Sequence, residues 1–124
     1  EFNKSFIAEN MFAGSFSVLS GNSNISCGIQ SLERTELLAA SYADFAAFYD
    51  KHPVFDRLGR KFLEWLLVRK EQREQSFLLD SAKKRFQDFA DQSPDLIKRI
   101  PQYHLASYLG ITEVQLSRLK RIPA

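Results

Sequence analysis

The chain has one cysteine, Cys27, one methionine and one tryptophan in 124 residues, with four prolines and five glycines. A lone cysteine makes no internal disulfide and no iron–sulfur or cysteine-rich metal site. Its expected place is a small buried apolar position, and a reducing cytoplasm is the simplest compartment. No run of 18 apolar residues occurs, so no membrane span is expected, and no basic-then-apolar leader is seen. Glu1 stands where a start methionine would, which suggests a fragment or a processed chain. His52 and His104 are far apart and lack metal-site neighbours. There is no P-loop and no recognisable nucleophile–base pair, so an enzyme is not expected. The carboxylates alternate with Lys and Arg, as on solvated helix faces.

What is present suits one or two small domains, with 44% hydrophobic and 26% charged residues. Net charge is +2 but unevenly spread. Residues 1–52 carry three basic against six acidic groups, and residues 53–94 nine against seven. Residues 95–124 carry five (Lys98, Arg99, Arg118, Lys120, Arg121) against two (Asp95, Glu113). The positive end hints at a polyanionic partner.

The first forty residues read as strands and turns. Ser5–Glu9 alternates polar and apolar, and Ile25–Leu32 and Thr35–Ser41 read as short strands beside the turn cluster at 21–24. Residues 11–21 allow one helical turn. The period changes after Ser41, predicting a short helix that Lys51-His52-Pro53 ends. Pro53 then opens a helix to Leu79 with no internal proline, about 40 Å long. Leu58, Phe62 and Trp65 form a seam on it, and Leu63, Leu66 and Leu67 an adjacent face. Two apolar faces point to one packed within the chain and one against a second copy. A core helix of a monomer is the alternative. Asp80-Ser81 caps a helix over 82–92 with Phe86, Phe89 and Ala90 inward, and Ser93-Pro94 opens another to Ile100.

The stretch PQYHLASYLGITEVQLSRLK, Pro101 to Lys120, explains itself by spacing. Leu105, Ala106 and Leu109 form the inner face of one short helix, and Gly110 allows a left-handed end. Thr112 caps a second helix with Leu116 and Leu119 inward. That is helix-turn-helix spacing, and a projecting second helix fits a major groove. The candidate DNA-binding residues are Thr112, Glu113, Gln115, Ser117, Arg118, Lys120 and Arg121, with Val114 also facing outward. Arg118 suits guanine and Gln115 suits adenine or phosphate. Lys120 and Arg121 suit phosphates. His104 is expected as a surface or phosphate contact.

The segments MFAGSFSVLSG, SLERTELLAASYADF, the helix after KHPVFDRLGR, and RIPQYHLASYLGIT resemble the Crp/Fnr superfamily of bacterial transcription regulators, especially its short Bacteroidetes-type members. The resemblance covers nearly the whole chain. It implies an α+β protein: a partial cyclic-nucleotide-binding β-roll over 1–52 lacking its first half, a long dimerisation helix over 53–79, and an all-α helix-turn-helix domain over 80–124. Double-stranded DNA and a second copy of the chain are the implied partners, with RNA polymerase a further candidate.

In nucleotide-binding members a Gly-Glu pair and an Arg-Ser pair hold the ribose and phosphate. Here the matching positions are Gly14, Ser15, Ile25 and Ser26, so both charged ligands are missing. A phosphate buried without a cation is costly. Cyclic AMP is therefore not expected to bind in the usual way, and no cofactor is expected. The adenine-facing region falls near Val68 to Glu71, with Lys70 and Glu71 in place of hydroxyls. The second helix also departs from relatives, which often read Pro-Glu-Thr after the capping Thr. Glu113-Val114-Gln115 stands there, so base preference does not carry over. The alternatives are a sensor of another small ligand and a protein-interaction module that retains the fold.

Overall fold

The computed structural model describes residues 2–15 and 28–121. Among these, every regular element is a helix: α1 (Tyr42–Lys51), α2 (Pro53–Leu79), α3 (Ala82–Gln92), α4 (Leu96–Arg99), α5 (Gln102–Leu109) and α6 (Glu113–Lys120).

The expected α+β architecture is thereby corrected. No strand, and so no part of a β-roll, occurs among the described residues. Thr35–Ser41 is exposed throughout and has no neighbouring strand there to complete a hydrogen-bond ladder. Gly28–Leu32 is likewise exposed and irregular, while Ile25–Cys27 and the turn at 21–24 lie outside the described residues. So does most of the helical turn expected over 11–21, and Met11–Ser15 is irregular. Ser5–Glu9 is a non-helical segment packed on helices. The Phe6 ring meets Phe89 and Tyr108, with centroids 6.1 and 5.0 Å away. Alternating side chains describe any extended chain with one packed side. Whether that side meets a sheet or helices depends on distant residues.

The helices follow local chemistry. Ser41 Oγ accepts from Asp44 N at 3.1 Å and caps α1, which ends at His52 before Pro53. The continuous helix expected over 53–79 forms as α2, and none of its residues is buried. Ser81 Oγ accepts from Lys84 N and caps α3, and Lys84 pairs with Asp88 one turn on. Ser93 does not cap the next helix. Its N–H donates to Phe89 O at the end of α3, its backbone oxygen accepts from Ile97 N at 3.2 Å, and α4 begins later, at Leu96.

Residues 2–11 and 72–121 make one compact unit. Its core is Ile100, Leu105, Ala106, Leu109 and Leu116, ringed by Phe6, Phe86, Phe89, Leu96, Ile97, Tyr108 and Ile111. Leu105 and Leu116 are wholly buried, each worth roughly 1.5–3 kcal/mol of apolar burial.

The other unit spans residues 12–71. No described residue of it is buried. Ring contacts within it include Phe48 stacked on Phe55 at 5.0 Å and Phe62 on Trp65 at 5.8 Å, and the Arg69 guanidinium lies 4.8 Å from the Trp65 ring centre. The Tyr49 ring lies against Gly59, the one position of α2 without a side chain to obstruct it. No helix among the described residues is long and apolar enough to cross a membrane.

Candidate nucleic-acid interface

The two short helices within Pro101–Lys120 meet at Gly110. Leu105, Ala106 and Leu109 face the core from α5, and Leu116 from α6. Gly110 has φ 67° and ψ 37°, the left-handed region in which a side chain is disfavoured. Its N–H donates to Ser107 O, and Ile111 N donates to Ala106 O at 3.0 Å. These two bonds are the paired ending of a Schellman motif, and Ile111 packs inward beside them.

Thr112 then caps α6. Its hydroxyl accepts from Gln115 N at 3.2 Å, and Gln115 Oε1 accepts from Thr112 N at 2.9 Å. This reciprocal box satisfies amides at both ends of the first turn. It also engages one of the two side-chain groups that a bidentate adenine contact would need, so Gln115 here serves the helix end.

The outward side of α6 carries the remaining candidates. Thr112, Glu113, Val114, Gln115, Arg118, Lys120 and Arg121 are exposed, whereas Ser117 and Leu119 are half-buried. The last turn is cationic through Arg118 and Lys120, which suits the negative end of a helix dipole. Val114 is 62% exposed, so an apolar side chain stands among the charged ones, as a thymine methyl would require.

Sequence reasoning missed how the end of α5 is held. The Schellman bonds use the carbonyls of Ala106 and Ser107. The next two are taken by arginines: Arg73 Nη2 donates to Tyr108 O at 2.8 Å, and Arg85 Nε to Leu109 O at 3.1 Å. Arg85 Nη1 also donates to Asp80 O at 2.7 Å. Burial lowers the pKa of the Arg73 guanidinium and the nearby Arg85 charge acts the same way, while the contact with Tyr108 opposes them. An arginine stays charged under all these influences.

The N-terminal segment covers part of α5. Asn3 N donates to Ser107 Oγ at 3.0 Å, and Asn3 Nδ2 lies 3.2 Å from His104 Nδ1. With the amide as donor, that imidazole nitrogen accepts and the proton sits on Nε2. His104 is therefore half-buried against Asn3, not an open surface histidine. Glu9 forms a forked pair with Arg99 at 2.7 and 3.2 Å, and the guanidinium holds the carboxyl below its ordinary pKa.

Of the four expected effector positions, only Gly14 and Ser15 lie among the described residues. Gly14 stands in open space, where an added Cβ would meet nothing within 4 Å. Ser15 is half-buried, Val68 to Glu71 are exposed, and Ile25 and Ser26 lie outside the described residues. The roll that was to bring them together is the architecture corrected above. Among the described residues no three His, Cys, Asp or Glu groups converge as a metal site. No family model matches this chain, and neither does any curated protein or solved structure.

Proposed function

We propose that the chain binds double-stranded DNA by laying α6 in the major groove, and that it acts as a dimeric transcription regulator of helix-turn-helix type. The observation that carries this reading is the division of α6. Leu116 pins one side to α5 and the core, Arg118 stands exposed on the opposite side, and Lys120 and Arg121 are exposed at the C-terminal end. A helix fixed from behind, capped at its start and cationic at its end suits a groove lined by phosphates.

The C-terminal part of the resemblance to Crp/Fnr regulators agrees with this reading. The second copy is supported by α2. Val54, Leu58, Leu63 and Leu67 on it are each at least half exposed. Val54 and Leu58 lie on one side of the helix and Leu63 and Leu67 on the other, so a matching helix would cover one of the two pairs. The half-sites read by such a dimer are expected about 34 Å apart, one turn of duplex.

The test is titration of the chain into a random-sequence duplex at several salt concentrations. Two phosphate-facing cations per copy, Lys120 and Arg121, give about four phosphate contacts in a dimer. The affinity then falls on the order of a hundredfold between about 50 and 200 mM salt. Binding that ignores salt, or no binding at the low-salt end, contradicts the reading and favours a protein-interaction module.

A further inference from the structure

The last four carbonyls of a helix have no partner within it. In α5 all four are accounted for, and two of the partners come from other helices. Arg73 on α2 takes Tyr108 O, and Arg85 on α3 takes Leu109 O. Phe77, one turn after Arg73, touches both, its ring centre 4.8 Å from the Arg73 guanidinium carbon and 4.9 Å from that of Arg85. The Arg73 guanidinium also lies 3.9 Å from the Tyr108 ring centre. Phe77 itself closes on Gly110, with Cε1 2.6 Å from where a Cβ would stand. One ring is in contact with two cations, and all three groups meet a single turn. The two guanidinium charges repel each other, so their convergence needs a common attraction. The negative end of α5 and the face of Phe77 supply it.

Thr112 and α6 follow that turn directly, so whatever fixes the turn fixes the direction in which α6 leaves. We propose that Arg73, Phe77 and Arg85 are positioning residues for the DNA-reading helix, through which the last turns of α2 set the orientation of α6. This rests on the proposed DNA-binding role of α6. Arg73 touches no phosphate in this account. Its effect falls on how well α6 matches a sequence, not on attraction to DNA.

The experiment uses the full chain and its Arg73→Ala, Arg73→Lys and Phe77→Leu variants. Binding is measured to a duplex selected by the wild type and to a random-sequence duplex, each across a salt series. The expected result for Arg73→Ala is a loss on the order of tenfold on the selected duplex, the scale of a lost charged hydrogen bond. Random-duplex affinity and the salt slope stay unchanged, and Arg73→Lys recovers part of the loss.

Equal losses on both duplexes, with the salt slope reduced by about one, would make Arg73 a phosphate contact and overturn the proposal. No change on either duplex overturns it as well. If the wild type binds no duplex, the DNA reading falls and amide hydrogen exchange still decides the clamp. Faster exchange confined to residues 111–116 in Arg73→Ala and Phe77→Leu upholds it. Exchange raised equally in α3, or unchanged everywhere, overturns it.

Discussion

The Phe77 ring lies so close to Gly110 that no β-carbon fits between them: Cε1 would be 2.6 Å from it. Gly110 is thus required twice, by its positive φ and by its neighbour. Gly110→Ala costs about 1–2 kcal/mol for the left-handed backbone alone, and displacement of Phe77 adds to that. Urea unfolding should show a lower midpoint with an unchanged slope. An unchanged midpoint would mean that the turn is not held in this conformation.

The core is small, so its members carry much of the stability. Leu105→Ala and Leu116→Ala each empty a wholly buried position and should cost about 2–5 kcal/mol. Leu38→Ala, at a fully exposed site, should stay within about 0.5 kcal/mol. Equal effects at the two kinds of site, in thermal unfolding, would contradict the placement of the core.

The capping box on α6 predicts coupling between its two members. Thr112→Ala should cost about 1 kcal/mol. Gln115→Ala should cost less in the Thr112→Ala background than alone, because the reciprocal bonds act together. Additive losses in a double-mutant cycle would show that Gln115 is not serving the cap.

Arg118 and Lys120 should separate by their effect on DNA. Arg118→Ala is expected to cost about 1–3 kcal/mol on a selected duplex and to relax preference at one base position. Lys120→Ala should weaken all duplexes alike and reduce the salt slope by about one. Competition titrations against singly substituted duplexes distinguish the two patterns.

The Glu9–Arg99 pair gives a signed pH dependence. Its carboxyl pKa is lowered in the fold. The associated stability is therefore present above the unfolded value and lost as pH falls through the folded one. Glu9→Gln should remove that part of the acid slope when stability is followed from about pH 6 to about pH 3. An identical slope in wild type and variant would show that the pair contributes nothing.

The helix-turn-helix was legible because its determinants are local. Gly110, Thr112 and the leucines at 105, 109 and 116 lie within twelve positions, and each states its own requirement. The length of α2 was legible for the same reason, since no breaker interrupts it. The N-terminal half was misread because alternation at Ser5–Glu9 and Thr35–Ser41 reports an extended chain and not its partner. Phe6 finds Phe89 and Tyr108, far along the sequence. Arg73 and Arg85 were hidden in the same way. They lie 35 and 24 residues from the carbonyls they cap, and in a charged stretch they look like ordinary solvated arginines. The one available signal was Phe77, the aromatic that follows the polar run at 69–76.

The most direct test of the central claim is selection of bound duplexes from a random pool, followed by sequencing. The account predicts an enriched palindrome whose half-sites are about one helical turn apart, lost when Arg118 is replaced by Ala. Recovery of no enriched sequence, with only weak binding that modest salt abolishes, would contradict it.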